Sequence, residues 1–352
     1  MSSGPTAHVH LANVVANWRT LNALNAASET GAVVKAGGYG HGAAQVAQAL
    51  SEAGCRTFFT AHASEGVEVR RAVGNAPGIY VLNGPDDDDF HMYSEAGLRA
   101  VINTPAQLDI WRSAGLDAPI ALKFDTGMNR LGLRPEIAGE LATAGNELDV
   151  AHVMSHLACA DEPGHAKNSQ QLKAFADIVR HFPGIPASLA NSAGCYLGGD
   201  YAFDLTRPGI ALYGGSHPPA GAELKPGLTL TAPILSVHTG HAGETVGYGA
   251  TRALEHDCLL ATVALGYADG LPRSASNSGF GVLGGVRCPI LGRISMDLTT
   301  LNVTGARKLA EPGARIEFIG TAANLEEQAD CAGTLGYELI TGLGPRVERI
   351  YE

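Results

Sequence analysis

The chain has 352 residues, 45% apolar and 17% charged, with a formal net charge of −11. That balance excludes a disordered chain, and the length suits a large domain plus a second one. No basic block accompanies the negative charge, so nucleic acid and anionic membrane surfaces are not expected partners.

Met1-Ser2-Ser3-Gly4-Pro5-Thr6 lacks the basic and apolar segments of a secretory signal, and no apolar run approaches membrane-spanning length. A cytoplasmic protein is expected. The first strand falls near Val9–Leu11, and Val14, Trp18, Leu21 and Leu24 then mark one face of a helix. Strand candidates follow at Ala32–Val34, Thr57–Thr60, Ile79–Leu82, Ala100–Ile102, Ile120–Phe124, Val150–Met154, Ala187–Leu189 and Phe203–Leu205. Helical stretches at Ala63–Ala72, Pro105–Ala114, Pro135–Thr143 and Ser169–Phe182 alternate with them, which predicts an α/β fold, a (β/α)8 TIM barrel. Asp86 to Asp89 reads as a solvated acidic loop. Ser216-His217-Pro218-Pro219-Ala220-Gly221 reads as a linker.

Beyond the linker come strands at Thr229–Val237, Cys258–Ala264, Val286–Leu291, Thr299–Val303 and Arg315–Phe318, a helix near Asn324–Cys331 and a last strand at Val347–Tyr351. The predicted organisation is a barrel over residues 1–217 and a mostly β C-terminal domain over 218–352. The first strand, residues 8–11, is a candidate to join the β domain instead. Cys55, Cys159, Cys195, Cys258, Cys288 and Cys331 are scattered without a CxxC pair, so neither a metal site nor a disulfide framework is expected.

Strand ends of a barrel carry its chemistry. Val33-Val34-Lys35-Ala36-Gly37-Gly38-Tyr39-Gly40-His41-Gly42 delivers a lysine from a buried strand into a glycine-rich loop. Such a lysine is placed to form a Schiff base with a carbonyl cofactor such as pyridoxal phosphate; taken alone, the stretch fits a surface lysine better. Lys123 and Asp125 share one face of their strand, and Arg130 beyond a glycine turn could clamp a carboxylate or join them in an internal ion-pair cluster. His156 ends another strand, as a core histidine or a ring stacked on a planar cofactor. Asn191 and Ser192, in Asn191-Ser192-Ala193-Gly194, offer a phosphate grip or a helix N-cap. In Arg207-Pro208-Gly209-Ile210, the open N–H of Gly209 suits a second side of a phosphate cup. Arg207 would face the ring of a bound cofactor and, staying protonated, would keep a pyridine nitrogen neutral. Tyr248 and Tyr267 each lie beside glycines, and Gly292 to Asp297 forms a tight turn.

Together these motifs resemble bacterial alanine racemase, a pyridoxal-phosphate enzyme family, along nearly the whole chain. The matching stretches are VVKAGGYGHG, KFDTGMNRLG, SHLACADEP, NSAG, RPGIALYG, VGYGA, GYADGLPR, GRISMD and GLGPRVERIY. The resemblance implies a barrel followed by a β domain, a head-to-tail homodimer with shared active sites, and D-alanine supply for peptidoglycan. It implies Lys35 as cofactor anchor and one acid/base, with Tyr248 from the partner chain as the other. Tyr39, Ser192, Gly209 and Ile210 would hold the phosphate, His156 would lie near the ring, and Arg207 would meet its nitrogen. Arg130 and the N–H of Met296 would receive the substrate carboxylate. Lys123 matches a lysine that is often carbamylated, and Tyr267, Arg273 and Asp297 match the substrate entrance.

The chain departs from the family's K-A-[DN]-A-Y-G-H-G at Gly37 and Gly38, where two glycines are expected to loosen the backbone beside Lys35. Pro345 stands where some members carry tyrosine. Rival readings are a non-catalytic carrier on the same barrel, a barrel-plus-β decarboxylase and a broader amino-acid racemase. The first two leave the VGYGA motif without a task.

Overall fold

The computed structural model describes residues 4–116, 118–143, 148–215 and 223–352. Met1-Ser2-Ser3 of the leader reading and the linker reading at Ser216 to Gly221 lie outside the described residues. The chain packs as two units, Val14–Lys225 and a second made of Met1–Asn13 with Pro226–Glu352.

In the first unit seven parallel strands run in sequence order: Ala32–Val33, Thr57–Thr60, Gly78–Val81, Arg99–Ile102, Ile120–Lys123, Val150–Met154 and Ala187–Ser188. An eighth, Leu205–Thr206, pairs in parallel with Glu29–Thr30 just upstream of the first. The Asp204 N–H donates to Ala187 O at 3.0 Å and Arg207 N–H to Ala190 O at 2.9 Å, tying it to the seventh strand. Gly31 N–H to Thr206 O at 3.0 Å and Val33 N–H to Pro208 O at 2.9 Å tie it to the first. The curled sheet thereby closes into the expected barrel. Every residue of Thr57–Thr60 and Gly78–Val81 is buried, as strands filled from inside and covered by helices from outside must be.

The eighth strand starts later than the expected Phe203–Leu205. Phe203 takes φ 51°, which turns the chain out of extended geometry before Leu205. Helix Pro105–Ala114 begins as expected, with Pro105 in its first turn and the Thr104 hydroxyl accepting from Gln107 N–H. Helix Ala166–Val179 starts three residues before the expected Ser169, where the His165 ring accepts from Lys167 N–H. On helix Leu11–Leu24 the buried face is Val14, Asn17, Trp18 and Leu21. Leu24, expected on that face, is half exposed. Asn17 is buried instead because its amide donates to Leu212 O and Lys225 O.

The second unit is built on a 13-residue strand, Leu228–Gly240. Its first half pairs antiparallel with Thr6–Val9 and Arg315–Ile319, and its second half, past a bulge at Ile234/Ser236, with Cys258–Val263. The first strand lies earlier than expected, and Leu11 already opens a helix. Thr6–Val9 also pairs in parallel with the last strand, Glu348–Tyr351. A hairpin of Phe280–Leu283 and Val286–Pro289 extends the sheet, so the expected strand to Leu291 is cut short at Pro289. Helix Leu325–Ala332 is capped by Asn324, whose Oδ1 accepts from Glu326 and Glu327 N–H. Among the described residues no helix is long and apolar enough to cross a membrane.

Candidate active site

Lys35 leaves the barrel immediately after Ala32–Val33, and the backbone then winds left-handed. Ala36, Gly37 and Gly38 take φ/ψ of 53/50°, 61/38° and 64/46°, with Tyr39 at φ 51° and Gly40 at φ 79°. Gly38 N–H donates to Val34 O and Gly40 N–H to Ala36 O, both at 2.9 Å, so the turn is hydrogen-bonded like one turn of helix. An L-residue in this conformation costs roughly 1–2 kcal/mol, a cost glycine escapes. Gly37 and Gly38 therefore do not loosen the loop; they remove strain from a defined turn.

That turn carries Tyr39 inward. Its ring stacks on Tyr213 with centroids 4.8 Å apart, and its hydroxyl lies so close to Gly209 that a Cβ there would collide with it. The Ser192 hydroxyl accepts from Gly209 N–H at 2.8 Å and from Ala211 N–H at 3.3 Å. Two hydroxyls thus converge on Gly209, just before the turn Ile210–Tyr213, and the Gly209 N–H, expected to be open, is taken by Ser192. Asn191 is occupied with structure: its Oδ1 accepts from Gly194 N–H at 2.9 Å, and its amide faces Leu157 O and the His156 Nε2.

Arg207 is buried beneath this cradle. Its guanidinium donates to the Ser188 hydroxyl and to the carbonyls of Ser155 and Leu189. Burial lowers its pKa to about 10, so it stays a cation at neutral pH. Burial, then Arg207, Arg130, Lys123 and Lys35, hold the His156 pKa well below the usual imidazole value, so that ring is neutral. Burial and the charges of Arg207 and Arg130 lower Lys123 to about 8. Burial and Arg130 lower Lys35 as well.

Asp125 does not form the ion-pair cluster expected with Lys123 and Arg130. Its carboxylate accepts instead from the N–H groups of Gly127, Asn129 and Arg130, at 2.8, 3.1 and 2.9 Å. Desolvation pushes its pKa up, but those backbone bonds outweigh it and the net shift is downward. Lys35, Lys123, Arg130 and Arg207 remain as mutually repelling cations at one end of the barrel, a basin suited to anionic groups such as a phosphate and carboxylates.

Tyr248, Tyr267, Arg273, Met296 and Asp297 belong to the other unit, and all five are exposed within it, Tyr248 to 71%. Tyr267 N–H donates to Ser295 O at 3.1 Å and Ala268 N–H to Met296 O at 3.0 Å, so the two turns are zipped together. Arg346 binds Asp269 at 2.9 Å and Asp297 at 2.8 Å, bracing both turns from the tail motif. Its role went unread in the sequence, as did that of Glu65. The signals were present: Arg346 sits in GLGPRVERIY, and Glu65 stands three residues after His62 at a helix start.

The model described as alanine racemase, N-terminal domain, matches residues 9–217, and that described as alanine racemase, C-terminal domain, matches residues 227–351. An alanine racemase of Methylobacterium nodulans is 44% identical, covering 99% of this chain and 96% of its own. A crystal structure of alanine racemase from Bartonella henselae with covalently bound pyridoxal phosphate superposes with a TM-score of 0.94 at 35% identity, covering 100% of both chains. That of the biosynthetic alanine racemase from Pseudomonas aeruginosa also reaches 0.94, at 34% identity and with both chains fully covered. The chain belongs to the alanine racemase family.

Proposed function

We propose that this chain interconverts L- and D-alanine with pyridoxal phosphate bound covalently to Lys35, working as a cytoplasmic homodimer that supplies D-alanine for the cell wall. The observation that carries the reading is the cationic basin. Lys35, Arg207, Lys123 and Arg130 crowd one barrel end beside the cradle of Tyr39, Ser192, Gly209 and Ile210.

When bound, pyridoxal phosphate supplies an electron sink that acidifies the substrate Cα–H. Tyr39 and Ser192, with the backbone at Gly209 and Ile210, hold the phosphate. Arg207, a buried cation, would donate to the ring nitrogen and so would hold it unprotonated. His156 lies near the ring with Asn191 behind it. Arg130 and the Met296 N–H hold the substrate carboxylate, and Lys123, as a carbamate, pairs with Arg130.

Racemisation requires acid/bases on opposite faces of Cα. Lys35, in the barrel within residues 1–217, moves the proton of the D isomer. Tyr248, from the β domain within residues 218–352 of a second copy, moves that of the L isomer. The exposure of Tyr248, Tyr267 and Met296 supports offering that face to another chain, with Tyr267, Arg273 and Asp297 forming the substrate entrance.

Incubating the protein and pyridoxal phosphate with single enantiomers of alanine, serine or lysine, and following optical rotation, tests the reading. Loss of rotation with alanine is expected. A colourless, inactive mixture overturns it.

A further inference from the structure

We propose that Glu65 is the positioning residue for Lys35: its carboxylate pins the Ala36 N–H and thereby fixes where the left-handed turn begins and how the lysine leaves it. This rests on the reading of Lys35 as the cofactor lysine. One carboxylate oxygen, Oε1, accepts from Ala36 N–H at 2.6 Å. The other, Oε2, accepts from Ala61 N–H at 2.8 Å and His62 N–H at 3.2 Å.

The two oxygens serve different ends. Glu65 is the third residue of helix Ala63–Val73, and its bond to His62 N–H is an ordinary half of a capping box. A cap needs only Oε2. The bond from Oε1 reaches a different strand end, to the residue directly after Lys35, which is also the first in the left-handed region. Ala36 has a Cβ and is strained there, so the charge-assisted bond holds a conformation alanine does not choose by itself.

Glu65 also bears on the charge of the lysine. The charged groups acting on Lys35 are Arg130 and Glu65, and Glu65 is the acid of the two. Burial and Arg130 lower the Lys35 pKa, and Glu65 opposes them.

Glu65→Gln separates the two roles. Glutamine is an accepted third residue of a capping box, so the helix keeps its cap while the amide NH2 is turned toward Ala36 N–H. In enzyme loaded with pyridoxal phosphate, the variant is expected to melt with the wild type and to yield a borohydride-trapped pyridoxyl group on Lys35. The absorbance titration of its Lys35 adduct should move to lower pH, and kcat should fall about tenfold with KM little changed. Amide hydrogen exchange at Ala36, expected to be slowed by this bond in the wild type, should quicken in the variant whether or not cofactor is present. Wild-type titration, turnover and exchange in Glu65→Gln would overturn the role of Glu65 alone. Absence of a trapped group on Lys35 in the wild type would overturn the parent reading, and this one with it.

Discussion

The Tyr39 hydroxyl occupies the space that a side chain on Gly209 would need. Gly209→Ala should therefore push Tyr39 off its stack with Tyr213 or spread the backbone, at about 1–3 kcal/mol. Because the collision lies in the cradle, pyridoxal phosphate affinity should fall at least tenfold by equilibrium dialysis while the fold persists. Tyr39→Phe in the Gly209→Ala background, lacking the colliding oxygen, should recover part of the lost stability but not the lost affinity.

The left-handed turn separates its two neighbouring glycines. A Cβ on Gly37 meets nothing within 4 Å, whereas one on Gly38 comes within 3.1 Å of the Ala43 backbone. Gly37→Ala should cost only the conformational term, roughly 1–2 kcal/mol. Gly38→Ala should cost more, since backbone cannot yield as a flexible side chain does. Urea titrations of the two variants give the ranking directly, and equal losses would count against the turn.

Lys123 gives the protein a pH dependence on the alkaline side. Its folded pKa is about 8 against an ordinary 10.5, lowered first by burial and then by Arg207 and Arg130. Below pH 8 both folded and unfolded chains hold the proton, and the folded state bears the cost of the crowded charge. Between 8 and 10.5 the unfolded chain binds more protons, so stability from this group rises with pH. Lys123→Met, free of pyridoxal phosphate and bicarbonate, should melt above the wild type at pH 7, and the gap should narrow by pH 10. Bicarbonate should add a carbamate to wild-type Lys123, seen by native mass spectrometry, most readily once the amine is neutral.

Tyr248→Phe removes one oxygen from a side chain 71% exposed in its own unit. The melting temperature and bound pyridoxal phosphate should stay at wild-type levels while racemisation falls by at least a hundredfold, the lower end of general acid–base contributions. A fully active Tyr248→Phe protein would overturn the two-base scheme.

Much of the barrel was legible because its strands are short runs with apolar residues on each face: Thr57–Thr60 and Val150–Met154 lie where the sequence predicts them. Phe203 misled because an apolar aromatic can sit at positive φ beside a strand without belonging to it. Leu24 misled because helical spacing marks a face without saying where its packing ends; there a buried Asn17, bonded to two carbonyls, took the place of an apolar residue. At the candidate site, residue types at strand ends pointed to Lys35, Arg207 and Ser192. Handedness was hidden, since a run of glycines permits either hand and only the folded turn shows which one the hydrogen bonds select. Glu65 was hidden for a related reason: a periodic helix pattern cannot reveal that one carboxylate oxygen serves another strand.

The pairing of Thr6–Val9 with both Leu228–Gly240 and Glu348–Tyr351 bears on how the chain is made. Thr6–Val9 emerges from the ribosome well before either of its partners, and long before Glu348–Tyr351. The barrel can close as soon as Leu205–Thr206 is out, while the amino-terminal segment waits through more than a hundred further residues. Ribosome-bound nascent chains should therefore acquire a protease-resistant barrel while the Thr6–Val9 segment stays cleavable, and that segment should become resistant only once Glu348–Tyr351 has emerged.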